Sequence, residues 1–108
     1  MSDATTYHDL SATERDTLLA AATATPSAGD RPNKADVFKQ ANQIAEWTVS
    51  RPTIYTAIDR LADAGLLRVS PIDDRAKGVT VSPTGVHVLH DAAERLQKAA
   101  GDDYSEGD

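Results

Sequence analysis

Ser50-Arg51-Pro52 and Ser82-Pro83 each set a serine and a proline just ahead of apolar residues at helical spacing. Serine is a strong N-cap, and proline in the first helical turn loses no bond because that N–H has no intrahelical partner. Each pair therefore starts a helix, and the stretch between them is tightly constrained. Ile54, Ile58 and Leu61, with Ala57 and Ala62 beside them, form a buried stripe over 51–64, and Gly65 stops the helix as a C′ residue. Leu66, Leu67 and Val69 then read as a strand and Val79 and Val81 as its return, while Pro71, Asp73, Asp74 and Gly78 supply the turn chemistry between them. Residues 50–82 thus run helix, strand, charged loop, strand.

The flanking segments supply what such a unit needs. Residues 1–10 are polar and read as a flexible leader. Ser11 and Glu14 make a capping box for a first helix over 12–24, with Leu10 placed to staple its first turn. The helix is rich in alanine, which favours helicity but packs shallowly, so it is expected across the back of the domain. Thr25 to Pro32 is a loop. Asn33 caps a second helical segment from Lys34, in which Val37, Phe38, Ala41, Ile44 and Ala45 keep a helical period, with Trp47 near its end. One helix or two divided near Asn42 both fit.

The last helix should run over 84–100, with Gly85 in its first turn. Val86, Leu89, Ala93, Leu96 and Ala100 are spaced 3, 4, 3 and 4, an a/d register. That stripe packs either on its own domain or on the same helix of a second copy. A core of one Phe, one Trp and scattered aliphatics in 108 residues is lean for a lone domain, which favours the dimer. Residues 101–108 read as a disordered acidic tail.

Charge limits the partners. The chain carries 17 acids and 11 bases, a formal net charge of −6, and only four of the bases are Lys. High Asp, Ala and Thr with little Lys is the composition of proteins that work in concentrated salt, where screening relieves self-repulsion. Six acids (Asp3, Asp9, Asp102, Asp103, Glu106 and Asp108) lie outside the central 11–100 region, which keeps 11 acids against 11 bases. A neutral central region permits a local positive face for nucleic acid. With no cysteine, no disulfide or thiolate site exists. No apolar run is long enough for a membrane span and no signal sequence is evident, so a cytoplasmic protein is expected.

On the helix over 51–64, Thr53, Thr56 and Arg60 are expected opposite the stripe, with Arg51 at the N-terminal end. Arg can bond guanine bidentately, and Thr can bond a base edge or touch a thymine methyl. Asp59 and Asp63 interrupt this face. A solvated face carries similar residues, and it is the hairpin after the helix that turns the balance toward DNA. Tyr55 packs beside the stripe with its hydroxyl within reach of phosphate. Arg75 and Lys77 in the hairpin loop, and Lys34 and Lys39 on the second helix, are further phosphate candidates. His87 and His90 lack an evident third ligand, so no metal is assigned. No nucleophile triad, P-loop or dinucleotide motif is present, so neither an enzyme nor a cofactor is expected.

The chain resembles the PadR family of winged-helix transcriptional regulators in its short form with one C-terminal helix. The resemblance rests on Thr53-Ile54-Tyr55-Thr56-Ala57-Ile58-Asp59-Arg60-Leu61, on Ala64-Gly65-Leu66-Leu67, on Val79-Thr80-Val81-Ser82-Pro83-Thr84-Gly85, and on the first helix from Leu10 to Leu19, which is similar to that of haloarchaeal members. Pro52, Thr56 and Val79 depart from the family pattern, as does the lead into the second helix. The resemblance implies an α+β, mostly α fold: a winged helix-turn-helix domain over 11–82 followed by a dimerisation helix over 83–100. It further implies a homodimer that binds a palindromic operator in double-stranded DNA, typically as a repressor. From the acidic balance we add an expectation that K+ or other cations sit at the DNA interface. The alternative is a winged-helix protein–protein module that does not bind DNA.

Overall fold

The structure is a computed structural model that describes residues 7–27, 29–45, 48–71 and 77–107. A 3-10 turn at Tyr7–Asp9 precedes α1 (Ala12–Thr23), α2 (Lys34–Ile44) and α3 (Arg51–Asp63). A hairpin of β1 (Leu67–Pro71) and β2 (Lys77–Val81) follows, and α4 (Pro83–Gly107) closes the chain. The expected helix and strand order is present, with one continuous α2. Trp47 and the loop 72–76, including Arg75, lie outside the described residues.

Tyr7 to Leu10, the described part of the expected leader, is packed against the domain. Leu10 is buried, and Arg15 reaches back from α1 to donate from Nε to the Tyr7 carbonyl at 3.1 Å while its guanidinium lies over the Tyr7 ring. The Ser11–Glu14 capping box forms in both directions, at 3.1 and 2.9 Å. The small side chains of α1 do not put it at the back of the domain. Thr17, Leu18, Ala20 and Ala21 are buried, and α1 packs against α2, α3 and β2. Short side chains let three neighbours approach one helix closely. The Thr17 hydroxyl satisfies itself on the Thr13 carbonyl at 2.7 Å.

Around α1 the core is made of Val37 from α2, Ile54, Ile58 and Leu61 from α3, and Leu66, Leu67 and Val79 from the hairpin. The hairpin is antiparallel with Leu67 opposite Val81 and Val69 opposite Val79. Its apolar residues thus share one face, while Arg68 and Thr80 point outward. The loop before α2 adds a third short rung. Asn33 bridges Gly78, and the Val79 amide donates to the Pro32 carbonyl at 2.8 Å.

Two joints fix the helices. Asn42, where the sequence left a break open, accepts from the Val49 amide at 2.7 Å and donates to the Phe38 carbonyl, tying α2 to the approach to α3. At the other end Gly65 adopts φ +82° and ends α3, as its sequence position predicts. The Ser82 amide donates to the Leu66 carbonyl at 3.0 Å, and the Ser82 hydroxyl donates to the Gly65 carbonyl while accepting from the Gly85 amide. Ser82 is therefore both the cap of α4 and the bolt that holds it to the turn after α3.

α4 buries Gly85, Val88 and Ala92, a stripe displaced around the helix from the a/d register. It continues past the expected end near residue 100 to Gly107. Gly101 does not adopt the left-handed conformation that would stop it. Beyond Ala92 every residue through Gly101 is exposed.

Gly85 is needed for space rather than for flexibility. A Cβ there would strike the Leu66 carbonyl oxygen and come within 2.7 Å of Val81 Cγ1. Gly85→Ala should lower stability by about 1–3 kcal/mol through overpacking. Gly101→Ala, where a Cβ meets nothing, should instead raise it by about 0.5–1 kcal/mol. Thermal unfolding of the two variants checks both signs.

Candidate nucleic-acid interface

α3 begins where Ser50 caps it. The Ser50 hydroxyl meets the Thr53 amide at 3.4 Å and the Thr53 hydroxyl at 2.8 Å. The Thr53 hydroxyl is thus already engaged at the helix start. Ile54, Ala57, Ile58 and Leu61 are buried, and with about 100° between successive residues the face opposite them is centred on Pro52, Thr56, Asp59 and Asp63. All four are exposed. Thr53 and Arg60 are therefore on one flank, not at the centre where a simple opposite-face reading puts them.

The two flanks have different neighbours. Thr53, Thr56 and Arg60 line an open cleft with Ser11, Thr13 and Glu14 at the start of α1. On the other flank Arg51 lies over the Phe38 ring at 5.3 Å, and Lys34 lies over the Tyr55 ring at 5.5 Å. Lys34 Nζ is also 3.3 Å from Asp59 Oδ1. Tyr55 packs against the core from its edge position. The structure thus gathers Lys34, Arg51, Tyr55 and Asp59 on one side of the helix and Thr53, Thr56 and Arg60 on the other.

Lys39 falls outside both groups. It lines a cleft with Thr25, Ser27, Asp36 and Gln43, on a different side of α2 from Lys34. Lys77 is exposed at the first position of β2, next to the hairpin loop. Of the stripe on α4, Leu89 packs partly on the core, whereas Val86 is 49% and Leu96 68% exposed. Ala93 and Ala100 are exposed with them. Val86, Leu89 and Ala93 border an open, mainly apolar groove with Ala21, Ala22 and Val81.

Two supports of the interface escape a reading by composition. The Arg31 guanidinium crosses from the loop before α2 to donate to the Pro71 carbonyl at 3.2 Å, and its stem occupies the space left by the missing side chain of Gly78. Nothing local announces a contact across 40 positions in sequence. The second support is Asp36, which has a sequence signal, the N-x-x-D spacing from Asn33. Its Oδ2 accepts from the Asn33 amide, the Ser27 amide and the Ser27 hydroxyl at 3.0, 3.0 and 3.1 Å. Partial desolvation pushes its pKa up, but these hydrogen bonds and nearby Lys39 outweigh that and hold it below the ordinary carboxylate value.

No protein-family model matches the sequence, and no curated protein sequence matches it. Solved structures do. A complex of hsRosR-S1 superposes with a TM-score of 0.65 at 17% identity, covering 94% of this chain and 98% of that one. RosR of H. salinarum, from crystals grown from NaBr, gives 0.63 at 18% identity over 91% and 96%. BpsR of Bordetella bronchiseptica, a protein whose DNA binding is regulated by 6-hydroxynicotinic acid, gives 0.61 at 24% identity over 89% and 68%.

A depressed Asp36 pKa stabilises the fold above the unfolded value near 3.8, and that contribution is lost as pH falls through the lower folded value. Asp36→Asn should cost about 0.5–2 kcal/mol at neutral pH, as lost caps do. It should also flatten the loss of stability on acidification below about pH 5. Denaturant unfolding from pH 7 to pH 3 measures both effects. At these identities the likeness establishes the architecture, and the chain has a mostly helical α+β winged helix-turn-helix fold with one C-terminal helix after the wing.

Proposed function

We propose that this protein is a sequence-specific DNA-binding transcriptional regulator that acts as a homodimer. The observation that carries the reading is α3 itself, a capped helix whose outward residues Pro52, Thr56, Asp59 and Asp63 are exposed and which a wing follows directly. In a winged helix-turn-helix that helix enters the major groove. Arg51, Thr56 and Arg60 are its candidate base or phosphate contacts, and Tyr55 and Thr53 border them. Lys77, with Arg75 in the adjoining loop, belongs to the wing and reaches the backbone or minor groove. Lys39 is at most a peripheral phosphate contact.

Support for the dimer comes from α4. Its own domain covers the stripe of Gly85, Val88 and Ala92, leaving Val86, Leu96, Ala93 and Ala100 in solvent with Leu89 at their edge. Pairing of that stripe with a second copy would bury it and give a two-fold axis. Palindromic half-sites would then lie about 34 Å apart. The PadR-like motif is consistent with a repressor. The acidic balance suggests that K+ or other cations bridge carboxylates and phosphates, as a bare excess of acid would otherwise repel DNA. No helix among the described residues is long and apolar enough to cross a membrane.

One observation favours a second reading, a protein–protein module on the same fold. The centre of the α3 face holds Asp59 and Asp63, and the whole chain carries a charge of −6. Selection from a randomised DNA pool with purified protein separates the two. A regulator enriches a motif, and Arg51→Ala and Arg60→Ala each weaken binding by about 1–3 kcal/mol. Absence of a motif supports the module, and unchanged binding in both variants moves the reading face elsewhere. Titrating the selected site against KCl tests the cations, since a steep ordinary fall through the molar range excludes them.

Leu96→Asp tests the dimer. Placing a charge on the exposed stripe should convert a dimer to a folded monomer in sedimentation, with thermal unfolding still cooperative. A variant that sediments like the wild-type dimer places the interface elsewhere.

A further inference from the structure

The carboxylate of Asp59 sits where a base reader would sit, and it is held there. Asp59 lies at the centre of the outward face of α3, and its side chain is 65% exposed. Its partner Lys34 is only 21% exposed. The ammonium of Lys34 lies 3.3 Å from Oδ1 and 5.5 Å from the centre of the Tyr55 ring. Lys34 is therefore poorly placed as a phosphate contact. It is well placed to hold Asp59 from the protein side and to offset the charge that would otherwise repel the DNA backbone.

We propose that Asp59 is a specificity-determining residue, accepting a hydrogen bond from the amino group of a cytosine in the major groove, and that Lys34 is its positioning residue. The inference rests on the DNA-binding reading of α3 and deepens it. A carboxylate only accepts hydrogen bonds. In the major groove the donors are the amino groups of cytosine and adenine. In a base pair the adenine amino group is flanked by acceptors on both sides, its own N7 and the thymine O4, whereas that of cytosine has an acceptor only on the side of the guanine O6, which leaves the C5–H side open to the second carboxylate oxygen. The chemistry selects cytosine. It also gives the acid in the middle of the reading face a use that is compatible with DNA binding, because only one side of the carboxylate is needed by Lys34.

Selection from a randomised duplex pool with the full chain, its Asp59→Ala and Asp59→Asn variants and Lys34→Met tests this. Thermal unfolding confirms that each variant is folded. The wild type should prefer cytosine at one position of each half-site by about fivefold or more. Asp59→Ala should lose that preference while keeping the rest of the motif. Asp59→Asn should shift it toward adenine, because an amide both donates and accepts. Lys34→Met should weaken the same preference and no other. An unchanged motif with Asp59→Ala, or cytosine retained by Asp59→Asn, overturns the role of Asp59. If Lys34→Met keeps the full motif but reduces the salt slope by about one, Lys34 is a phosphate contact instead. A wild-type pool with no motif at all overturns the underlying DNA-binding reading, an outcome separate from the others because it does not depend on the variants.

Discussion

The fold turns on the corner where Ser82 and Gly85 meet the turn after α3. Three elements converge there: the end of α3, the start of the hairpin and the start of α4. The Ser82 hydroxyl bonds the Gly65 carbonyl, the Ser82 amide bonds the Leu66 carbonyl, and Gly85 lies against that same carbonyl without a side chain. Each contact is short and leaves little freedom in angle. The direction of the projecting helix α4 is therefore fixed relative to the face of α3. For a dimer built on α4, that one corner would set how far apart two copies of α3 lie.

A second constraint comes from charge. With acids in excess, a positive surface cannot be spread over the whole domain, and cations have to be placed. Arg51 is steadied over Phe38, and Lys34 is held between Tyr55 and Asp59. An aromatic face both orients a cation and shields it, at a worth of about 0.5–1 kcal/mol in exposed positions. Placement of this kind is local and survives salt better than a diffuse field, which is screened over about 3 Å at molar ionic strength. The wing is secured by a different cation, Arg31, whose stem fills the space over Gly78 and whose guanidinium reaches Pro71.

The elements were legible because their signals are local. Ser11, Asn33, Ser50 and Ser82 all cap the helices that their spacing announces, and Gly65 takes the left-handed conformation its position requires. The interface was only half legible. Helical periodicity finds the buried stripe of α3 well, since four apolar residues define its centre. The same period centres the opposite face on Pro52, Thr56, Asp59 and Asp63 and leaves Thr53 and Arg60 as flanks; what it cannot show is that α1 packs beside that flank while Lys34 and Phe38 of α2 border the other. The a/d register of α4 was visible, yet a parallel stripe one residue earlier, built on Gly85, Val88 and Ala92, makes the contact with the domain. Two overlapping stripes of small and apolar residues cannot be ranked from spacing alone.

What the sequence determined by itself was the succession of elements and the inward side of each, because caps, glycine stops and apolar periods act over a few residues. Only the tertiary structure decided the pairing of Lys34 with Asp59 over 25 positions and of Arg31 with the hairpin over 40. It also decided which of the two stripes on α4 is covered. These depend on how helices cross, and crossing is set by the bulk of side chains brought together from distant parts of the chain.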